Sequence, residues 1–381
     1  MPDASEFPAF SPSPPQVVSL GGPVLLAPKI VAAVFDSDPL LPDLSTFLHE
    51  MGTGSDYWHT ISEYGVGALL YANVVVIHET PPASVNIAQL EAWIAARVTG
   101  ANPVLGTFDY QTMYTVFYPA TTNVILDGSG PQCQAFGGFH LESQLPDGRP
   151  FVLAAIPRCA PISGFSTLDL VTTAASHEWL EGAADPYPET HPAYQAVDAD
   201  HQAWAVAFSD SPIAEIGDMC ALTADDRTMP AGFTHRVQRI WSNTEAAAGR
   251  DPCAPAPAEP YFNTVPVSPD SISITPAFGG AIATRGVKVP LGTSKTIELQ
   301  ASSTAPTEPW TVVAYDLRAL LGEPKRLELS FVEPAPHLAS NGDTLHLMIK
   351  SVATGPLGGA PFAIYSTRGM RTQLQIGFVQ N

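Results

Sequence analysis

The pattern of the sequence changes at a proline-rich segment, residues 254–260, which reads APAPAEP. Ahead of it, from Lys29 onward, short β-branched and aromatic runs alternate with stretches of helical spacing. After it, from about Tyr261, short alternating runs follow one another with turn residues between them. Segments rich in proline and alanine are typical of linkers. Because 381 residues suffice for two domains, we predict that this segment joins two domains of different architecture.

The part before the linker has the pattern of an α/β layer. Two stretches are predicted to be helical, LPDLSTFLHEM and SDYWHTISEYG. A third helix is predicted behind Ser84 and Asn86, where Ile87, Leu90, Ile94 and Val98 recur at helical spacing. Five runs rich in β-branched and aromatic residues are predicted strands: KIVAAVFDS, NVVVIHET, TMYTVFYPA, AFGGFHLES and FVLAAIPRC.

The part after the linker has the pattern of a β-sandwich. In TLHLMIK, Leu345, Leu347 and Ile349 fall on one face of a strand and the residues between them on the other. Six or seven such runs in about 120 residues are typical of a sandwich. The predicted divisions are a Pro-rich segment, a first domain, the linker and the sandwich, at residues 1–27, 28–253, 254–260 and 261–381.

Charge and hydropathy exclude some partners. Lys and Arg number 17 against 37 Asp and Glu, a net charge of −20, so we expect neither a nucleic acid nor an anionic membrane as partner. No apolar run approaches the roughly 20 residues of a membrane span, so no membrane insertion is expected. The start, MPDASEFPAFSPSPPQ, lacks the pattern of a signal peptide. We expect either an intracellular protein or a chain that begins after a removed signal.

Four cysteines, Cys133, Cys159, Cys220 and Cys253, are well separated and form no C-x-x-C motif. This spacing argues against a thiolate zinc site. Of the three pairings they allow, the sequential one closes two loops of moderate length, each stabilising by roughly 3–4 kcal/mol in the chain-entropy model. We favour disulfides, and therefore an oxidising compartment, over four buried thiols.

The stretch ASHEWLEGAADPYP carries the strongest functional signal. Ser166 to Asp169 fit a capping box, and Pro186 cannot continue a helix, so a helix is predicted between them. On that helix His177 and Glu181 lie one turn apart on one face. The motif His-Glu-x-x-Glu differs by one residue from the H-E-x-x-H signature of zinc peptidases.

A hydrolytic zinc site needs three protein ligands and one open position for water. We predict His177 and Glu181 as ligands, because a carboxylate is an accepted zinc ligand, and Glu178 as the general base. An anionic ligand in place of a second imidazole would make the bound water less acidic and the site more hospitable to harder cations.

The third ligand has three candidates downstream, and the choice stays open. Asp185 is two turns beyond His177, at the end of the same helix. Glu215 and Asp218 belong to the later block Glu-Ile-Gly-Asp. We favour Glu215 as the ligand and Asp218 as its hydrogen-bonded partner or substitute.

Some of these residues have more than one possible role. His-Glu-x-x-Glu on its own is more often a solvated helix face, and the capped helix, the adjacent small residues and the later Glu-Ile-Gly-Asp block favour a metal site. His235, which opens a strand candidate, is predicted to assist catalysis by stabilising a developing oxyanion. Four aspartates could bind calcium, but no D-x-D-x-D-G loop is present and solvated turns are favoured: Asp198, Asp200, Asp225 and Asp226.

The ordered blocks SHEWLEGAADPYP, EIGDMC, VQRIWSN and DPC resemble the EXORDIUM (phosphate-induced) family of plant cell-wall proteins and similar secreted bacterial proteins. The resemblance spans residues 20 to 254. It implies metal binding by His177 and Glu181, catalysis through Glu178, a functional role for Glu215 and Asp218, an extracellular location, and a Cys220–Cys253 bridge. The order of elements also resembles that of zincin metalloproteases.

The expected fold class is therefore α+β, a zincin-like α/β metalloprotease domain followed by an all-β sandwich. The expected function is a secreted endopeptidase with one catalytic zinc ion and a protein or peptide substrate. The alternative is a non-catalytic extracellular or cell-wall protein with a structural metal site or a buried ion-pair network. Through the sandwich, contact with a cell surface or polysaccharide is a third expectation.

Overall fold

The computed structural model describes residues 4–52, 55–162, 164–207, 212–276 and 280–381. Within these ranges the chain forms two compact units, and neither is a single stretch. We name as the helix unit the one made of residues 19–194 and 227–240. We name as the sandwich unit the one made of residues up to 18, 195–226 and 241–381.

The described strands range from two to ten residues in length. They are, in chain order, β1 (Val17–Val18), β2 (Lys29–Phe35), β3 (Tyr71–Ile77), β4 (Ser84–Asn86), β5 (Thr112–Phe117), β6 (Asn123–Ile125), β7 (Phe139–Gln144), β8 (Pro150–Ile156), β9 (Ala196–Val197), β10 (Arg227–Thr228), β11 (Val237–Gln238), β12 (Ile240–Trp241), β13 (Cys253–Ala254), β14 (Phe262–Pro266), β15 (Asp270–Ile274), β16 (Ile282–Lys288), β17 (Ser294–Ser303), β18 (Trp310–Asp316), β19 (Leu327–Phe331), β20 (Leu338–Ala339), β21 (Thr344–Ser351), β22 (Gly359–Arg368) and β23 (Arg371–Gln380).

Three of the described α-helices are longer than ten residues, and the others are single turns. They are α1 (Leu41–Gly52), α2 (Ile87–Thr99), α3 (Thr167–Ala184), α4 (Gln202–Ala205), α5 (Asn243–Ala247) and α6 (Leu317–Leu320). Three segments form 3₁₀ turns: Trp58–Tyr64, Ala199–His201 and Asp218–Cys220.

The helix unit is built on a five-stranded sheet with the strand order β3-β2-β5-β8-β7. The four strands from β3 to β8 are parallel, and β7 runs antiparallel to β8 at one edge. Side chains of α2 and the sheet form an apolar core that includes Ile94, Tyr114 and Leu153. The long helix α3 packs on β5, β7 and β8 and also contacts α1.

The sandwich unit contains a sheet of four strands, β14-β17-β21-β19, and a sheet of six, β15-β16-β23-β22-β18-β20. Apolar side chains from both sheets share one core, among them Phe262, Leu347 and Phe362. The alternation predicted for TLHLMIK is confirmed, since Leu345, Leu347 and Ile349 are all at most 5% exposed. A β-sandwich is therefore present, as predicted.

The predicted fold class is wrong for the first part of the chain. Strands hold 34% of the described residues and helices 19%, so the protein is mostly β and does not have a zincin-like α/β metalloprotease domain ahead of the sandwich. One cause is the stretch SDYWHTISEYG, whose central residues form a 3₁₀ turn rather than an α-helix. Another is the region after α3, which contributes the two-residue strands β9 to β13.

Both disulfides follow the sequential pairing. Cys133 is bonded to Cys159 in the helix unit, and Cys220 to Cys253 in the sandwich unit, with Cα atoms 5.3 and 5.8 Å apart. The expectation of disulfides rather than thiols is confirmed, and paired cysteines are a feature of proteins from oxidising compartments. Among the described residues, none of the helices combines the length and apolar character needed to cross a membrane.

Candidate functional site

Helix α3 has the limits that the sequence predicts. Ser166 caps its start, where Ser166 Oγ accepts from Asp169 N at 3.1 Å and Asp169 Oδ2 accepts from Ser166 N at 2.9 Å. The helix ends at Ala184, two residues before Pro186. Such a reciprocal cap satisfies two backbone N–H groups that the helix itself leaves unpaired. The His-Glu-x-x-Glu motif therefore lies in the last two turns of a well-defined helix.

The side of α3 that carries Trp179 is fixed against the sheet and α1. Trp179 is fully buried and donates its Nε1–H to Thr115 Oγ1 on β5 at 2.8 Å. Its ring stacks on Phe47 of α1, with centroids 5.5 Å apart, and meets Phe117 edge-on at 6.2 Å. This packing sets the rotation of the helix, and Glu181 lies about 160° around it from Trp179.

Two carboxylates and two imidazoles meet on the other side of α3. Glu181 Oε2 lies 2.9 Å from His177 Nε2 and 3.9 Å from His140 Nδ1. His140 Nδ1 lies 3.1 Å from Glu178 Oε2. The exposed fractions of the Glu181, His140 and Glu178 side chains are 2%, 4% and 8%, whereas that of His177 is 14%. We name these four residues the HE cluster, and its more accessible side is at His177.

The HE cluster has the donor types and the spacing of a metal site. One ligand atom each from His140, Glu178 and Glu181 lie within 4.8 Å of one another. Two carboxylates this deeply buried repel each other and need positive charge nearby, which a cation or protonated imidazoles would supply. Imidazole nitrogen and carboxylate oxygen are both ligands that zinc accepts.

A buried tyrosine lies beside the HE cluster. Tyr57 donates its hydroxyl hydrogen to the backbone oxygen of Gln238 at 2.7 Å. Ser176 on α3 accepts from Gln238 N at 3.0 Å. Burial raises the pKa of the Tyr57 phenol, and the negative charge of Glu181 raises it further. The phenol therefore stays protonated and adds a fixed dipole, not a charge, to this side of α3.

His140 is the member of the HE cluster that was not predicted from the sequence to be a site residue. It lies on β7, and its neighbours Phe139 and Leu141 pack into the α2 core. Because side chains alternate along a strand, His140 faces the opposite side, on which α3 packs. The available signal was this alternation, an imidazole placed between two apolar residues of a predicted strand.

His235, predicted to assist catalysis, lies in a separate buried pair. Its Nδ1 is 2.7 Å from Glu50 Oε2, and its ring packs on Phe47 at 5.7 Å, on the Trp179 side of α3. Burial alone would raise the pKa of Glu50, but hydrogen bonds from Thr234 and His235 outweigh burial and lower it. The contacts of His235 are therefore those of a structural imidazole–carboxylate pair. Its catalytic role stays a prediction.

The three candidates for a third ligand belong to different elements of the fold. Asp185 is the C-terminal cap of α3, and its Oδ1 accepts from Ala193 N at 2.7 Å. Glu215 and Asp218 belong to the sandwich unit, where both are half-buried and Asp218 begins the 3₁₀ turn that carries Cys220. The ligand roles proposed for Glu215 and Asp218 stay predictions.

Two of the acids considered for calcium, Asp198 and Asp225, have ordinary protein partners. Asp198 accepts hydrogen bonds from Gln16 N at 2.8 Å and Asp200 N at 3.0 Å, and lies 2.8 Å from His201 Nδ1. Asp225 lies 2.7 Å from Arg371 Nε. Such contacts are typical of turns and ion pairs, so calcium remains without support.

No protein-family model matches the chain, and no curated protein matches it either. Among solved structures, the crystal structure of titin M3 domain is similar over 25% of this chain and 85% of its own, at 13% identity and a TM-score of 0.17. A likeness of that size carries no argument about fold or function.

Proposed function

We propose that the chain is a secreted, zinc-dependent endopeptidase with its centre in the HE cluster. The observation that carries this proposal is the 2.9 Å approach of His177 Nε2 to Glu181 Oε2 one turn apart on a helix. The Glu178 carboxylate lies on the same turn of the helix. His177 has the most exposed side chain of the HE cluster. A metal, a base and a route for substrate are the components that such a reaction requires.

The donor atoms fit a zinc ion. Two ligands at about 2.0–2.1 Å from zinc in tetrahedral geometry are roughly 3.3 Å apart. His177 Nε2 and Glu181 Oε2 need to separate by only about 0.4 Å from their 2.9 Å spacing to reach that distance. A small rotation of two side chains would achieve this, so no change in α3 itself is required.

The roles of the chain's own residues follow from their positions. His177 and Glu181 would supply two of the three protein ligands of a zinc ion, which when bound would polarise a substrate carbonyl and make water more acidic. Glu178 would accept a proton from the attacking water and deliver it to the leaving amine. Burial of the HE cluster keeps bulk water away and strengthens each electrostatic interaction within it.

The proposed location and partners rest on coarser features. Two disulfides fit an oxidising compartment, and we propose secretion. The substrate class is protein or peptide. On the sandwich, Tyr315 is 43% exposed and lies edge-on to Tyr365 at 6.0 Å. Exposed aromatic rings are a feature of sugar-binding faces. We therefore propose that a polysaccharide would contact the sandwich at this pair of tyrosines.

A second candidate function is a non-catalytic extracellular protein. The distances within the HE cluster, 2.9 and 3.1 Å, are also those of ordinary hydrogen bonds between imidazoles and carboxylates. In that case the HE cluster would be a buried ion-pair network that fixes α3 on β7. Metal content separates the two candidates.

The test begins with elemental analysis of the purified protein and of His177→Ala. We expect about one zinc ion per chain, lost in the variant. His78→Ala is the matched control, because His78 Nδ1 also lies 3.0 Å from a carboxylate, that of Asp36, but is largely exposed. Zinc should be retained in this control.

Hydrolysis is measured next, with casein and a fluorogenic peptide library on the wild type and Glu178→Gln. We expect cleavage by the wild type and a loss of at least 100-fold in the variant, since a general base typically contributes 10²–10⁴-fold. Absence of zinc after incubation with zinc salts would eliminate the peptidase. Bound zinc without cleavage would favour the non-catalytic candidate.

A further inference from the structure

We propose that His140 is a positioning residue for Glu178, donating its Nδ1–H to Glu178 Oε2 so that Oε1 is the oxygen that takes the proton. This inference rests on the proposed function. The contact is 3.1 Å long, and the exposed fractions of the two side chains are 4% and 8%. A carboxylate oxygen accepts, so the nitrogen that faces it carries the hydrogen.

The fold gives His140 little freedom. Its strand is paired along its length with β8, and His140 is opposite Ala154 in that pairing. On the α3 side, Gly182 lies next to the imidazole, since a Cβ there would be in ordinary contact with His140 Cδ2 at 3.5 Å. A rigid strand and a close helix thus hold the imidazole beside Glu178.

The two oxygens of Glu178 have different surroundings. Oε2 faces His140 Nδ1. Oε1 lies against Gly138, at which an added Cβ would come within 3.0 Å of Oε1 and 3.1 Å of Glu178 Cγ. His140 therefore holds Oε2 on one side, and the absence of a side chain at Gly138 leaves room for Oε1 on the other.

Orientation matters because a base acts only within hydrogen-bond reach of the proton that it removes. Some residues hydrogen-bond to a site residue and orient it without contacting the metal or the substrate. Mutation of such a residue typically lowers activity or metal affinity by about 10–100-fold. For His140 we expect the loss to fall on turnover, since the proposed zinc ligands on α3 are left intact.

The test compares His140→Leu, which removes the donor, with His140→Asn, whose amide places an N–H near the position of Nδ1. We expect the leucine variant to lose about 10–100-fold in kcat. Its KM should stay within about twofold, and its zinc dissociation constant within about threefold. The asparagine variant should recover at least about tenfold in kcat. His201→Leu, which removes a comparable imidazole 2.8 Å from Asp198, is the control and should keep full activity.

The outcomes separate this inference from the function on which it rests. If the wild type binds no zinc and cleaves nothing, both fail together. If the wild type is active and His140→Leu equals it, or if asparagine and leucine are equally impaired, the positioning role is refuted and the peptidase stands. Loss of zinc in His140→Leu would make His140 a ligand instead and also refute the proposal. His140→Ala replaces the leucine variant if that variant does not fold.

Discussion

Trp179 Nε1 donates a hydrogen bond to Thr115 Oγ1 at 2.8 Å, and this bond joins the C-terminal half of α3 to the middle strand of the sheet in the helix unit. Both residues are fully buried. The bond sets the rotation of α3 about its axis, because the indole has one donor and its ring is packed between Phe47 and Phe117. The orientation of the HE cluster therefore depends on a contact that the same stretch of α3 makes on another side of the helix.

Removing the acceptor of this bond should destabilise the protein. In Thr115→Val the indole N–H stays buried without its partner, which costs about 1–3 kcal/mol of unfolding free energy. Urea denaturation followed by tryptophan fluorescence measures this cost. Thr46→Val is the control, because Thr46 is exposed on α1 and its hydroxyl bonds its own helix. Equal stability of the two variants would show that the bond contributes nothing.

Two adjacent glycines offer a matched pair beside the HE cluster. A Cβ at Gly138 would lie 3.0 Å from Glu178 Oε1, whereas a Cβ at Gly137 would meet Ala174 at an ordinary 3.9 Å. We expect Gly138→Ala to displace Glu178 and lower kcat by about tenfold or more, with zinc content unchanged, and Gly137→Ala to be near the wild type. Activity and zinc content measured side by side check this. Equal activity of the two variants would argue against a catalytic Glu178.

The two disulfides should contribute similar stability. They close loops with sequence separations of 26 and 33 residues. Because the entropy of loop closure grows only with the logarithm of loop length, each should add about 3–4 kcal/mol. Paired Cys→Ala variants of each bridge, compared by calorimetry, measure these contributions. A difference above about 2 kcal/mol between the bridges would mean that packing around the sulfurs outweighs chain entropy.

Stability should depend on pH through Glu50. Its folded-state pKa is lowered below the ordinary value of 4.5. The contribution of the carboxylate is therefore complete above about pH 4.5 and is lost as pH falls through the folded-state pKa. We expect the difference in unfolding free energy between the wild type and Glu50→Gln to shrink in that acidic range. Urea titrations at several pH values measure it, with the exposed Glu189→Gln as control. The same trend in both variants would assign the effect to overall charge.

Local signals in the sequence predicted α3 well and the 3₁₀ segment poorly. Capping residues and Pro186 are within a few positions of the helix that they bound, so both ends of α3 were predictable. Trp58, Ile61 and Tyr64 are buried and recur every third residue. That spacing fits three residues per turn, which is the 3₁₀ period, and an approximate helical reading does not distinguish it from 3.6.

Long-range contacts account for what the sequence did not reveal at the candidate site. His140 and Glu178 are 38 residues apart and meet because β7 pairs with β8 and α3 packs across them. No local pattern around either residue specifies that contact. Among the short strands after α3, β11 and β12 fall in the strand candidate that His235 opens, and the others were missed for a similar reason. A two-residue strand has too few side chains to show alternation, and pairs such as β1 with β9 form between distant stretches.

The division of the chain into interleaved stretches affects how it can fold during synthesis. The helix unit is completed only by residues 227–240, which follow a stretch, 195–226, that belongs to the sandwich unit. At roughly 5–20 residues per second, the ribosome needs about 2–9 s to add the residues between 194 and 240. During that interval the helix unit lacks Gln238, whose backbone bonds Tyr57 and Ser176 beside the HE cluster. A nascent chain stalled before residue 227 should therefore be captured by chaperones or cut by protease more readily than one stalled well past residue 240.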